Sequence, residues 1–253
     1  DIYATLCDVY DTLNDKPFLL PLNQLLGFIG AYEWHKKGID IPQLDGKIHV
    51  PFGVFSPLRG EYLDLIAQAP LAPNIQTAFD IGTGSGVIAA ILAKRGISNI
   101  IATDTNPKAI ACATANLKRL GLNKAVNIQS IDLFPESCAD LIVCNPPWLP
   151  AKPTSAIETA LYDPNHAMLT AFLNGVRKHL NPNGEAWLII SDLAEHLHLR
   201  DKDFLNQCFQ TASLNVVDIL KTKPQHKKAI DESDPLAFAR NKETTYLYRL
   251  KTI

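Results

Sequence analysis

From Thr77 to Leu250, short apolar runs alternate with longer stretches of helical period. TAFDI (77–81), NIIATD (99–104), AVNIQSI (125–131), DLIVCN (140–145), EAWLIIS (185–191), NVVDILKT (215–222) and TTYLYRL (244–250) read as seven strands. Between them, GVIAAILAKRG puts Val87, Ile88, Ile91 and Leu92 on one helix face and stops at Gly96. KAIACATANLKRL starts after Thr105 or Asn106 as cap, with Pro107 at its first position, and stops at Gly121. AMLTAFLNGVRKHL is stopped by NPNG, and a further helix is expected around 201–211. Strands joined by helical crossovers must run parallel, with helices on both faces, because each right-handed crossover covers one side of the sheet. The expected fold is α/β: a doubly wound, seven-stranded, mostly parallel sheet.

Residues 1–70 read differently. Leu19, Leu20, Leu22, Leu25, Leu26, Phe28, Ile29 and Trp34 have helical spacing broken by Pro17, Pro21 and Pro42. GKIHVPFGVFSP (46–57) suggests a small hairpin or two edge strands, and GEYLDLIAQAP a helix with Tyr62, Leu63, Leu65 and Ile66 inward. A small helical and hairpin cap over 1–70, followed by a main domain over 71–253, is the expected organisation.

Composition removes several classes. Hydrophobic residues make up 47% and charged residues 20% of 253, and no run approaches the roughly eighteen apolar residues of a membrane span. The start lacks the basic-then-apolar pattern of a secretory signal, so a cytoplasmic protein is expected. Cys7, Cys112, Cys138, Cys144 and Cys208 form no C-x-x-C pair, which speaks for reduced thiols and against a metal site. A net charge of −2 gives no general attraction to a polyanion, so nucleic-acid contact would need a local patch. Lys221, Lys223, His226, Lys227, Lys228, Arg240 and Lys242 could form one, although the acids at 231, 232 and 234 dilute it.

Ligands of such sheets bind beyond the carboxyl ends of the strands. DIGTGSG there places Asp80, Gly82, Thr83, Gly84 and Gly86 between a strand and a helix, where glycines allow positive φ and close backbone approach. Asp104, with Thr105 after it, ends the second strand, where a carboxylate can accept from both hydroxyls of a ribose. Asp132 and Leu133 end the third, placed for an adenine amine and its ring face. A plain tight turn at the glycines and a cap at Asp104 are the structural alternatives. A nicotinamide dinucleotide site would need the third glycine one residue later. Asn145-Pro146-Pro147-Trp148 then ends the fourth strand, giving up two backbone donors.

FDIGTGSGVIAAILAKRG, ATDTNPKAIACATANLKRLGL, SIDLF and DLIVCNPPW, in this order, resemble the successive motifs of class I S-adenosylmethionine-dependent methyltransferases. The resemblance spans residues 57 to about 191. It is strongest to the branch with Asn-Pro-Pro-aromatic after the fourth strand, which holds the HemK-like protein-glutamine enzymes and the small-domain enzymes acting on adenine or guanine amines of RNA. It implies S-adenosyl-L-methionine as cofactor, with Asp80 near its methionine moiety, the backbone of Gly82 and Gly84 against it, and Asp104 on the ribose. FSPLRGEY (55–62) matches the segment that closes over the cofactor, with Arg59 and Glu61 either contacting its methionine end or pairing with each other at the surface. Asn145 and the Pro146 carbonyl would accept the two N–H bonds of a planar acceptor nitrogen, and Trp148 would form a flat wall. Most members of that branch carry Tyr or Phe where Trp148 stands.

Cys144 reads as a buried thiol, since in cytosine-C5 methyltransferases the cysteine follows the proline. Tyr162, Asp163 and His166 either read the acceptor or cap the next helix, and the cap is favoured. The expected activity is N-methylation of a macromolecule, a glutamine amide of the translation machinery ahead of an RNA amine, with no membrane and no metal. A module that binds cofactor or partner without turnover is the competing class, and Asn145 speaks against it.

Overall fold

The computed structural model describes residues 2–10, 17–57, 60–151, 162–224 and 237–253. Helices α1 (Ile2–Val9) and α2 (Leu22–Lys37) precede a two-stranded antiparallel pair, β1 (Ile39–Ile41) and β2 (Gly46–Ile48), and helix α3 (Glu61–Gln68). The main sheet follows: β3 (Thr77–Ile81), α4 (Val87–Lys94), β4 (Asn99–Asp104), α5 (Pro107–Arg119), β5 (Val126–Ser130) and β6 (Ala139–Cys144). The chain then continues through α6 (Ala167–His179), β7 (Leu180–Ser191), α7 (Leu193–His196), α8 (Phe204–Thr211), β8 (Leu214–Thr222), α9 (Ala237–Arg240) and β9 (Thr245–Thr252).

Strand order is β5-β4-β3-β6-β7-β9-β8, with β9 antiparallel to both neighbours and the remaining pairs parallel. Two-residue periodicity divides the core. Ala78, Leu141, Val143, Trp187 and Ile189 face one side, packed with α3, α4 and the β1–β2 pair. Phe79, Ile81, Ile142, Cys144, Leu188 and Ile190 face the other, packed with α6 and α8. Both faces are dry, which is why the central strands read as unbroken apolar runs. Ile39, Ile41, Leu44 and Ile48 of the β1–β2 pair share one core with the sheet.

Three local readings shift. The expected hairpin over 46–57 pairs instead as β1 with β2, because Pro42–Leu44 forms a 3-10 turn closed by Asp45 at φ +49. Helix α6 stops at His179, as NPNG implies, but the strand begins at once rather than at Glu185: Leu180 pairs with Ala139, and Asn181 Nδ2 donates to Asp140 Oδ1 (2.8 Å). The ladder tolerates NPNG through a register shift between Ala139 and Leu141. Helix α9 stands just before the last strand, where the sequence pattern indicates no element.

One buried side chain ties the N-terminal segment to the glycine loop. Asn116 of α5 accepts from His49 N (3.0 Å), and its Nδ2 donates to the carbonyls of His49 (3.0 Å) and Ser85 (3.0 Å). In sequence Asn116 is marked only as an amide in the middle of an apolar helix face, where it is a poor helix former. Asn116→Ala leaves these three groups short of partners and is expected to lower stability by about 3 kcal/mol, read as a shift in the urea midpoint at unchanged slope.

Candidate active site

The sheet reverses direction of winding between β3 and β6, whose ends Ile81 and Cys144 are paired neighbours. A cavity of about 430 Å³ opens there, a size suited to a small ligand. One wall is the glycine loop with Val87 and Ile88; another is Thr103 to Asn106, with Ala109, and Ile131 to Leu133; the third is Asn145 to Leu149 with Tyr162, Met168, Leu193 and Arg240. Gly53, Val54, Phe55 and Tyr62 close it from the N-terminal side.

The loop is held from behind by a buried charge. Asp80 is fully buried, and its Oδ2 accepts from Thr83 Oγ1 (2.7 Å) and from Ala89 N (3.0 Å). Oδ1 is buried without a hydrogen-bond partner among the described residues. Burial raises the carboxyl pKa to about 6, against the opposing bonds from Thr83 and Ala89. Asp80 therefore sits beneath the loop rather than among the residues lining the cavity, because its carboxylate is drawn to the N-terminal turn of α4.

The three glycines separate in role. Gly84 (φ +54) has open space where a Cβ would stand, so a ligand can approach its backbone. Gly82 (φ +71) would bring a Cβ to 2.7 Å from Met168 Cε. Gly86 (φ +80) faces away from the cavity: a Cβ would meet Ala113 Cβ at 3.0 Å and Ala113 Cα at 3.1 Å, so this glycine lets α5 pack closely. Gly86 is not among the residues lining the cavity.

Asp104 reaches the loop directly. Its Oδ2 accepts from Gly84 N (2.9 Å) and its Oδ1 from Asn106 N (2.9 Å), while Asn106 Oδ1 caps α5 through Lys108 N (3.0 Å). Each carboxylate oxygen keeps acceptor capacity on the cavity side. Thr105 and Asp132 line the same wall, with Leu133 at φ +53 and its carbonyl held by Thr103 Oγ1 (2.7 Å).

Asn145 is half-buried at the end of β6, and Pro146 and Trp148 follow along the wall. Trp148 Nε1 donates to Asn145 Oδ1 at 2.9 Å. Leu149 O accepts from Asp163 N (2.8 Å), and Leu149 bridges Tyr162, which anchors the far end of this loop. Asp163 caps α6 through Met168 N (2.9 Å) and Leu169 N (3.0 Å), the favoured alternative, and His166 is buried against Phe204 at 4.5 Å, so of this group Tyr162 lines the cavity. Burial among apolar side chains raises the Cys144 thiol well above its usual range, which keeps it protonated. Arg59 and the basic residues 226–228 lie outside the described residues, Glu61 is buried at the start of α3, and Lys223 Nζ donates to Lys242 O (2.9 Å). No cluster of metal ligands and no helix long and apolar enough to cross a membrane occurs among the described residues.

A family model described as methyltransferase small domain matches residues 47–219. A release factor glutamine methyltransferase of Cereibacter sphaeroides is 35% identical over 140 residues, covering 49% of this chain and 50% of that protein. A tRNA1(Val) (adenine(37)-N6)-methyltransferase of Cytophaga hutchinsonii is 31% identical over 133 residues, covering 49% of this chain and 56% of that one. The aligned region thus spans about half the length of these curated relatives. The fold also resembles the crystal structure of a ribosomal protein L11 methylase from Lactobacillus delbrueckii subsp. bulgaricus, with TM-score 0.55 and 16% identity over 82% of this chain and 86% of that one.

The state of Asp80 gives a pH signature. Its folded pKa of about 6 exceeds the ordinary 3.8, so the native state holds the proton more tightly than the unfolded chain. That contribution is fully present below pH 3.8 and is lost as pH rises through 6, about 3 kcal/mol in all. Asp80→Asn removes the ionisation while keeping an acceptor for Thr83 and Ala89. Denaturation at pH 4.5 and 7.5 is expected to show the variant gaining stability relative to the parent at the higher pH; a pH-independent difference would exclude the buried charge.

Proposed function

We propose that this chain, which belongs to the methyltransferase small-domain family, uses S-adenosylmethionine to methylate a planar nitrogen of a macromolecule, in first place a glutamine side-chain amide of a translation protein. The observation that carries the reading is the side-chain carbonyl of Asn145 on a proline-stiffened strand end, across one cavity from Gly84 and Asp104. The residues fit such a cofactor on three counts. Gly84 leaves room for a ligand against its backbone. Asp104, steadied by two backbone N–H groups, has lone pairs left for ribose hydroxyls. The unpartnered Asp80 Oδ1 makes the loop a favourable neighbour for a cationic group.

When bound, the cofactor supplies an electrophilic methyl group on a sulfonium. The difficulty left to the protein is the acceptor, because an amide nitrogen is flat and its lone pair delocalised. Asn145 Oδ1 and the Pro146 carbonyl accept its two N–H bonds, favouring the pyramidal, partly positive nitrogen of the transition state. Pro146 and Pro147 fix φ and stiffen the loop, so the Pro146 carbonyl is aimed in advance. The Trp148 ring limits the acceptor to a flat group and helps exclude water. Residues 1–70 would choose the macromolecule, and the cytoplasm is where such acceptors reside.

The exocyclic amine of adenine or guanine in RNA is the second reading, favoured by the width of the Trp148 wall and by a relative named for a tRNA adenine. Such a base must leave its stack to enter, which limits it to loops or single strands.

Methyl transfer from labelled cofactor to release-factor and ribosomal fractions, with and without RNase, separates the two acceptors; no transfer to either overturns the reading. Asn145→Ala is expected to lower kcat by about a hundredfold or more with cofactor affinity within about twofold, and full turnover in this variant would remove Asn145 from the mechanism. Asp104→Ala is expected to weaken cofactor binding about tenfold to a hundredfold by calorimetry.

A further inference from the structure

The Trp148 indole does more than present a face. Its N–H is a donor and has no acceptor capacity, and it lies 2.9 Å from Asn145 Oδ1. A side-chain amide has an accepting end and a donating end, interchanged by a half-turn about χ2, a rotation with no strong intrinsic preference. A donor-only partner removes that degeneracy: the oxygen must face the indole, and turning the amide over would set N–H against N–H.

The ring giving this constraint is itself held. Trp148 packs against both hydrophobic clusters that sandwich the sheet. The next residue, Leu149, bridges Tyr162, and its carbonyl takes N–H bonds from Ala151 (2.9 Å) and Asp163 (2.8 Å). Pro146 and Pro147 restrict the backbone between the two partners. The indole is therefore a fixed reference for a half-buried amide at a strand end.

We propose that Trp148 is a positioning residue whose indole N–H holds the Asn145 carbonyl, rather than its NH2, toward the acceptor nitrogen. One lone pair of Oδ1 takes the indole proton and the other takes an N–H of the acceptor. The inference rests on the reaction proposed above. It explains why a tryptophan in this position is not equivalent to another aromatic residue: phenylalanine keeps a wall and loses the orienting donor.

The discriminating experiment pairs Trp148→Phe with Asn145→Asp. A carboxylate has no wrong end, since both oxygens accept, so the orienting donor becomes superfluous beside it. Trp148→Phe in the parent is expected to lower kcat about fivefold to tenfold, the worth of one hydrogen bond, with KM and cofactor affinity unchanged. In the Asn145→Asp background the same change is expected to cost less than about twofold. An equal loss in both backgrounds would assign the effect to ring area or folding, and a gain in kcat would mean that the indole holds the carbonyl away from the acceptor; either overturns the proposal.

A measurement independent of turnover accompanies it. In protein labelled with 15N at its three tryptophans, the Trp148 indole resonance is expected to move and exchange faster in Asn145→Ala, while those of Trp34 and Trp187 stay in place. An unmoved Trp148 signal overturns the contact whatever the kinetics. A moved signal together with full turnover in Asn145→Ala overturns the reaction assigned to Asn145 and leaves the contact standing.

Discussion

A carboxylate with no water around it organises the working end of this molecule. Asp80, next to last in β3, is fully buried and uses one oxygen to hold both the Thr83 hydroxyl and the first turn of α4. Burying such a charge is unfavourable, as the raised pKa records. The return is a glycine loop fastened at its middle and its exit, so that Gly84 can keep a positive φ and face the cavity while its N–H reaches Asp104 on the adjacent strand. The positive-φ glycines of the loop, the charge beneath it and the opening above it form one arrangement.

The same economy appears on the far side of the switch point. There the chain ends β6 with groups that need orientation more than stability. Two prolines remove backbone freedom, an indole fixes an amide, and a bridge to Tyr162 anchors the exit. Asn116 completes the frame by binding His49 and Ser85 at once, so that the N-terminal segment closing the cavity and the glycine loop flooring it are braced by one side chain. A cavity assembled from such distant segments keeps its shape only if each is braced to another, and the buried amide provides that link.

Much of this was legible in the residues. The strand-helix alternation, the Asn106 cap, the inward face of α3 and the glycine loop depend on neighbours within a few positions, where periodicity and capping act directly. The hairpin slipped because its register depends on a left-handed Asp45 and a 3-10 turn, which proline spacing does not reveal. The early start of β7 was not legible because the local signal stops the helix correctly but does not reveal the partner across the sheet, Ala139, that pairs Leu180. Asp80 and Gly86 were recognisable as members of a loop motif, yet residue type says nothing about which side of the loop each faces.

Local chemistry along the chain thus specified a two-faced parallel sheet, a glycine turn after its first strand, an acid after its second and an amide-proline-proline-indole end after its fourth. Those depend on intrinsic backbone preferences and short-range hydrogen bonds, which travel with the sequence. Packing alone assigned Asp80 to the underside of the loop, Gly86 to Ala113, Asn116 to a brace between segments and the Trp148 indole to one end of the Asn145 amide. Each of these is a choice between two directions of similar local energy, and only the surroundings brought by the fold make one of them lower.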